Sequence, residues 1–75
     1  MEIIFFGQLA DIAGKSNIQM EGITGTDTLK ATLEADFPGL KQVKYMLAVD
    51  KKMITSNTAL TGCEMIALMP PFSGG

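Results

Sequence analysis

The stretch that decides the fold is MIALM at residues 65–69, followed directly by Pro70-Pro71. Successive side chains of a strand point to opposite faces, so this run has an apolar side of Met65, Ala67 and Met69 and a second apolar side of isoleucine and leucine. It is typical of a buried strand. Proline donates no backbone hydrogen bond, so the pair ends the strand and holds the chain extended. The sequence therefore predicts a buried last strand followed by a projecting tail.

The start of the chain predicts a hairpin with a long connection. Residues 2–6 (EIIFF) are an aromatic and β-branched run that ends at Gly7, whereas residues 17–21 (NIQME) alternate polar and apolar side chains as a half-exposed strand does. Between the two strands, residues 8–13 form either one helical turn or a packed loop. We expect Gly14 to end this segment in a left-handed conformation.

The middle of the chain predicts the main helix, over residues 27–36. Leu29, Leu33 and Phe37 recur every four residues, which places their side chains on one helical face. Hydroxyl and carboxylate groups that can cap the helix lie just before them, in residues 25–28. The Pro-Gly that follows Phe37 ends the helix, because proline disfavours helical geometry in the residue before it.

Two short strands and two turns complete the pattern before residue 65. Residues 45–49 predict a central strand, residues 50–52 a turn, residues 53–54 a short strand and residues 61–64 a second turn. A hairpin, one helix and further strands in 75 residues indicate an α+β fold of the ubiquitin-like β-grasp type. In this fold a mixed sheet has one main helix packed on one face.

We predict one β-grasp domain over residues 1–69 and an extended C-terminal tail over residues 70–75. Periodicity alone also permits a ferredoxin-like split, but that fold needs a second helix of useful length. Hydrophobic residues make up 47% of the chain and charged residues 19%, which favours a compact domain over a disordered one. The longest apolar run has five residues, far below the roughly 20 of a membrane span, so we expect a cytoplasmic protein without membrane contact.

The side-chain inventory argues against several function classes. The chain has six lysines spread along its length and no arginine, histidine or tryptophan. Nucleic-acid binding is disfavoured because it needs a concentrated basic footprint. Hydrolytic or metal-dependent catalysis by this chain alone is hard to build from so few acids, bases and ligands, so we expect no bound metal or cofactor. The single cysteine, Cys63, cannot form an internal disulfide.

The tail carries the most specific chemical signal. Gly74 and Gly75 lack Cβ atoms, so they can enter a channel too narrow for side chains, and Pro70-Pro71 hold them a fixed short distance from the last strand. An inert, frayed end is the alternative, since terminal glycines are common. Their position as the natural last residues favours a terminal carboxylate that is threaded into another protein.

The whole chain resembles the small, sulfur-carrying subunit of molybdopterin synthase. Residues 4–14 (IFFGQLADIAG), the helix, and residues 61–75 (TGCEMIALMPPFSGG) carry the resemblance. Its strongest element is the ending PP-x-[small]-GG, which distinguishes this family from the thiamine sulfur carriers.

The resemblance implies that the Gly75 carboxylate is the reactive group. An E1-like adenylating enzyme uses ATP to form an acyl-adenylate, and sulfur then replaces AMP to give a thiocarboxylate. The tail is implied to thread into the large catalytic subunit, in a heterotetramer of two small and two large subunits, and to attack cyclic pyranopterin monophosphate. The residues implied to thread are Pro70, Pro71, Phe72, Ser73 and Gly74.

The predicted partner surface is an uncovered apolar sheet face. If the helix covers the opposite side, Met65, Ala67 and Met69 join one face of the first strand, Ile4 and Phe6, in a surface that suits adaptable contacts. Simple core positions are the alternative. The resemblance favours Phe6 and Met69 as interface residues and Phe72 as a tail anchor.

Cys63 also invites a sulfur-transfer role, but no neighbouring base or cation in the sequence lowers the pKa of its thiol. We interpret it as a turn residue. We interpret Lys51-Lys52 as a solvated turn. The alternative is that these lysines contact an acidic patch on a partner.

Three other functions compete with the carrier subunit of molybdopterin synthase. They are a sulfur carrier for thiamine or tRNA thiolation, a ubiquitin-like modifier joined to lysines, and a β-grasp binding module with an inert tail.

Overall fold

The computed structural model describes residues 1–71. The predicted tail residues Phe72, Ser73, Gly74 and Gly75 lie outside the described residues. The division at residue 69 therefore stays a prediction.

The described chain confirms the mixed sheet with one main helix on one face. The strands lie in the order β2-β1-β5-β3-β4; β1 and β5 are parallel and the other neighbours antiparallel. The helix α2 packs with the core side of this sheet, which is the β-grasp arrangement. In chain order the elements are β1 (Glu2–Phe5), α1 (Gln8–Ala13), β2 (Asn17–Gln19), α2 (Thr26–Asp36), a 3₁₀ helix (Pro38–Gln42), β3 (Met46–Val49), β4 (Lys52–Ile54) and β5 (Met65–Met69).

The last strand, β5, is the centre of the sheet. Its Ile66 pairs with Ile3 of β1 and its Leu68 pairs with Phe5, and both β5 side chains are fully buried. Leu29 and Leu33 of α2 are also fully buried and belong to the same cluster. Each side chain of this size contributes about 1.5–3 kcal/mol when fully buried. The alternation predicted for residues 65–69 is therefore confirmed, with isoleucine and leucine on the helix side.

The first hairpin forms with the predicted long connection. The connection contains α1. Gly14 ends this helix at φ 76° and ψ 13°, the left-handed conformation that was expected. The two strands are shorter than predicted. Phe6 leaves the strand, although its N–H still donates to the Leu68 carbonyl at 2.9 Å. Beyond β2, the Met20 N–H donates to the Met1 carbonyl at 3.0 Å, so pairing continues without regular strand geometry.

The N-terminus of α2 is capped from a distant loop, contrary to the prediction. The N-cap residue is Gly25, and no side chain of residues 25–28 makes a cap hydrogen bond. Instead, Oδ1 of Asn57 accepts a hydrogen bond from the Asp27 N–H at 2.9 Å. The buried Thr26 side chain adds a second link, because its Oγ1 accepts from the Thr58 N–H at 2.8 Å. The loop before β5 therefore supplies a hydrogen-bond acceptor for a backbone N–H in the first turn of the helix.

The helix ends as predicted, but a second helical element follows it. The Phe37 N–H donates to the Leu33 carbonyl at 2.7 Å, and Pro38 then opens the 3₁₀ helix, which the sequence did not predict. Gly39 lies so close to α1 that a Cβ there would be 2.8 Å from the Ile12 Cγ2. The Phe37 ring packs edge-on against Phe5, with centroids 5.7 Å apart.

The turn between β3 and β4 is tight and is tied to β5. Asp50 and Lys51 have φ values of 49° and 71°, the positive pair that a type I′ hairpin turn needs. Lys52 therefore starts β4, one residue earlier than predicted. The Asp50 N–H donates to the Met65 carbonyl and its Oδ1 accepts from the Met65 N–H, both at 2.9 Å.

Candidate functional site: the sheet face and the base of the tail

The sheet face opposite α2 is apolar and open. We call this surface the apolar face; it forms a concavity of about 340 Å³. Phe6 is 46% exposed and Met65 is 45% exposed, which is high for side chains of their size. The concavity is lined by Ile4, Phe6, Ala48, Lys51, Met65, Ala67 and Met69.

The structure brings all four predicted interface residues onto this face. Phe6, Met65, Ala67 and Met69 share it with Ile4, as strand parity implied. The sequence missed Ala48, and it gave Lys51 only as part of a solvated turn, with an acidic partner patch as the alternative. Register places Ala48 on this face, since it pairs with Ala67 across the β3–β5 ladder. Alternation of polar and apolar residues in β3 would have shown which face of the sheet each side chain lies on. Residues 46–49 are all apolar, so the sequence gives no such alternation.

The base of the tail lies beside the apolar face. Phe6, Met69, Pro70 and Pro71 line a second, smaller concavity of about 330 Å³. Gly7 lies next to Pro70 at the base of the tail. Its φ is 59° and ψ is −136°, and a Cβ there would be 3.0 Å from the Pro70 Cγ. The absence of a side chain at Gly7 therefore sets how closely Pro70 approaches β1.

A polar concavity lies on the other side of the tail base. We call it the lysine groove; it has a volume of about 490 Å³ and is open to solvent. Inside it the Tyr45 hydroxyl donates to Oε2 of Glu34 at 2.6 Å. Burial raises the pKa of Tyr45, and the Glu34 carboxylate raises it further, so the hydroxyl keeps its proton. The groove is lined by Lys30, Glu34, Leu40, Lys41, Val43, Lys44, Tyr45 and Pro71.

The turn that precedes β5 is fixed by Glu64. Its carboxylate accepts hydrogen bonds from the Thr61 N–H at 2.8 Å and from the Gly62 N–H at 3.0 Å. These bonds, first of all the one from the Thr61 backbone, lower the pKa of Glu64 to about 2. Cys63 is exposed in this turn, consistent with its interpretation as a turn residue.

Two kinds of feature are absent from the described part of the chain. Residues 1–71 contain no group of three His, Cys, Asp or Glu side chains placed to hold a metal ion. No helix in this part of the chain is long and apolar enough to cross a membrane. The features that the described residues present are the apolar face, the lysine groove and the two proline residues that follow β5.

The fold and this arrangement define a class, the ubiquitin-like β-grasp proteins. More narrowly, the chain belongs to the ThiS family, whose model matches residues 3–75, and it is a ubiquitin-like sulfur carrier.

Solved structures of other proteins share the fold of this chain. The molybdopterin converting factor, subunit 1, of Pyrococcus furiosus superposes with a TM-score of 0.82 at 13% identity, over 95% of each chain. The small archaeal modifier protein 1 of Methanosarcina acetivorans gives 0.83 at 20% identity, over 99% of this chain and 94% of that one. The small archaeal modifier protein 1 of Haloferax volcanii gives 0.76 at 22% identity, over 100% of this chain and 98% of that one. At these identities the likeness is one of fold.

Proposed function

We propose that this chain is the sulfur-carrier subunit of molybdopterin synthase. In this proposal ATP converts the Gly75 carboxylate into an acyl-adenylate with loss of pyrophosphate. A sulfur nucleophile then displaces AMP and leaves a thiocarboxylate, whose sulfur attacks cyclic pyranopterin monophosphate. Hydrolysis of the acyl–sulfur bond leaves the sulfur on the pterin and returns Gly75 to a carboxylate. Adenylation is needed because a free carboxylate is a poor electrophile, whereas the mixed anhydride carries a good leaving group.

The observation that carries the proposal is the way the central strand runs into the proline pair. Main-chain pairing on both sides fixes β5, and Pro70 then packs against Gly7. The strand that leads into the tail is thus held by hydrogen bonds on both sides up to the proline pair. The sequence Phe72-Ser73-Gly74-Gly75 that follows has the composition for threading into a narrow channel.

Two partners follow from this proposal. One is an E1-like adenylating enzyme, which binds and uses the ATP. The other is the large catalytic subunit of the synthase, in a heterotetramer of two small and two large subunits in the cytoplasm. The apolar face, with Phe6 and Met69 nearest the tail, is the surface we assign to these contacts. The catalytic side chains belong to the partners.

Intact-mass spectrometry tests the proposal directly. The protein is incubated with ATP, the cognate adenylating enzyme and a sulfide source. Replacement of one terminal oxygen by sulfur adds about 16 Da through a single covalent exchange. We expect this gain in the wild type and in Cys63→Ser, which lacks the only thiol, and no gain when Gly75 is deleted. An unchanged wild-type mass with a competent enzyme would refute the carrier function.

A ubiquitin-like modifier is the second candidate, because two of the fold neighbours bear the name small archaeal modifier protein. A modifier needs the same activated Gly75 but passes it to a lysine amine, so its product is an isopeptide bond. The two functions separate in one assay with the large synthase subunit and cyclic pyranopterin monophosphate. Sulfur in the pterin product favours the carrier, whereas loss of water on joining a lysine favours the modifier. A carrier for thiamine or tRNA thiolation would thiocarboxylate normally and give no pterin product.

A further inference from the structure

The lysine groove concentrates positive charge on a chain that is negative overall. The formal net charge is −2, yet three of the six lysines, Lys30, Lys41 and Lys44, line this one concavity. Among the described residues, the only carboxylate that lines it is Glu34, and one of the Glu34 oxygens accepts a hydrogen bond from the Tyr45 hydroxyl at 2.6 Å. Lys30 lies over the Tyr45 ring, with its Nζ 5.8 Å from the centroid. The groove therefore presents more cations than its own carboxylate can balance.

The form of the groove favours a protein surface over a small anion. All three lysines are exposed and the groove is open to solvent. A dedicated phosphate site would hold its charges in a fixed, partly buried cradle of backbone amides or paired side chains. Exposed lysine–carboxylate pairs each contribute too little to hold a complex alone. Their larger effect is to accelerate encounter with an oppositely charged protein.

The groove also adjoins the proposed route of the tail. Pro71 lines both the lysine groove and the concavity formed by Phe6, Met69 and Pro70. A protein that receives the tail must therefore pass over the junction of a basic and an apolar surface. Charge at this junction can orient the carrier before the tail is threaded.

We propose that the lysine groove is a docking surface for an acidic segment of the enzyme that adenylates the tail. The inference rests on the proposed carrier function and specifies how its first partner is recognised. The adenylating enzyme is favoured over the synthase subunit because the proposed heterotetramer makes the synthase contact the longer-lived of the two. Salt-screened, exposed charges suit a transient encounter, whereas a lasting subunit contact needs buried apolar area.

The test measures association rates with a charge-matched control. Lys41→Glu/Lys44→Glu reverses two groove lysines, and Lys15→Glu/Lys52→Glu changes net charge equally at sites outside the groove. Stopped-flow association with the cognate adenylating enzyme is followed at low and high ionic strength. We expect the groove variant to associate about tenfold more slowly at low salt, with a weaker salt dependence, since steering changes on-rates by 10–10³-fold. The control variant should stay within about twofold of the wild type, because its charges lie away from the docking site.

Three outcomes separate the two proposals. Equal slowing of both variants would show a net-charge effect and would overturn the docking surface. No slowing of the groove variant, with normal thiocarboxylate formation in the wild type, would overturn the docking surface and leave the carrier function intact. A wild type that neither binds the enzyme nor gains sulfur would overturn both. Thermal unfolding of each variant shows whether a slow rate comes from loss of fold.

Discussion

At the residue scale, Gly7 links the fold to the tail. It adopts φ 59° and ψ −136° between β1 and α1, and its missing Cβ leaves room for the Pro70 ring. Positive φ with strongly negative ψ lies near a region that is essentially restricted to glycine and costs other residues about 1–3 kcal/mol. One position thus serves both the turn after β1 and the close approach of Pro70.

Gly7→Ala should destabilise the domain by about 1–3 kcal/mol through this backbone strain and should also displace Pro70. Gly14→Ala is the matched control. It has φ 76° but nothing within 4 Å of the added Cβ, so it should cost about 1–2 kcal/mol from the left-handed conformation alone. Urea unfolding gives the stabilities. Thiocarboxylate formation should slow in folded Gly7→Ala and not in folded Gly14→Ala; equal rates would show that Pro70 does not position the tail.

Glu64 makes the stability of the domain depend on pH in the acid range. Its pKa falls from 4.5 to about 2, chiefly because the Thr61 N–H donates to it. A carboxylate with a lowered pKa stabilises the fold fully above its unfolded pKa, and this contribution is lost as the pH falls through the folded value. Stability should therefore decline from about pH 4.5 to about pH 2.

Glu64→Gln should weaken that decline, and denaturant unfolding at successive pH values in this range measures it. Thr61→Ala is the control, because it removes only the hydroxyl bond at 3.1 Å and keeps the backbone donors. It should retain most of the pH dependence. A Glu64→Gln protein with the wild-type pH dependence would show that other carboxylates cause the decline.

At the scale of the secondary-structure element, α2 depends on a residue far along the chain. The Asp27 N–H donates to Asn57, 30 positions away, and no side chain within the first turn replaces that acceptor. The loop that carries Asn57 leads through Thr58 and Leu60 towards β5. The helix and the strand that bears the tail are therefore joined by more than core packing.

Asn57→Ala should lower the free energy of unfolding by about 0.5–2 kcal/mol, the usual range for loss of an N-terminal helix cap. Asn57→Asp keeps an acceptor oxygen and adds a negative charge near the positive end of the helix dipole, so it should recover most of the loss. Urea denaturation of the three proteins checks both values. Equal destabilisation by Ala and Asp would show that the amide NH₂, rather than the cap, is what matters.

The secondary-structure elements show which features could be predicted from the sequence. Local patterns could be predicted, whereas contacts between distant segments could not. The strand MIALM and its two faces were predictable because their period of two is local, and Leu29 and Leu33 were predictable from a spacing of four. The cap from Asn57 and the contact of Gly39 with Ile12 were not, because each joins segments that are distant in sequence. The lysine groove was missed for the same reason. Its lysines come from α2, the 3₁₀ helix and the approach to β3, and only the fold brings them together.

At the scale of the whole molecule, the two faces of the sheet differ in how far their apolar side chains are exposed. One face buries Ile66 and Leu68 against α2, whereas the other leaves Phe6 and Met65 nearly half exposed. A substitution on the exposed face should therefore change the affinity for a partner much more than it changes the free energy of unfolding.

Phe6→Asp should change the free energy of unfolding little but weaken binding to the large synthase subunit by about 2 kcal/mol or more, as loss of an aromatic anchor does. Phe6→Leu keeps an apolar side chain and should retain most of the affinity. Isothermal titration calorimetry with the large subunit gives the affinities, and urea denaturation gives the stabilities. Unaltered binding by folded Phe6→Asp would place that interface elsewhere.

The parallel pairing of β1 with β5 has a consequence for biosynthesis. Among the five strands of the sheet, the ribosome makes the central one last, so β1 and β3 have no common neighbour until then. A nascent chain that stops before residue 65 exposes the unpaired edges of both strands, which are targets for chaperones and proteases. We therefore expect a chain that lacks β5 to be unable to complete the sheet, so that a folded molecule has already produced the strand that leads into Pro70.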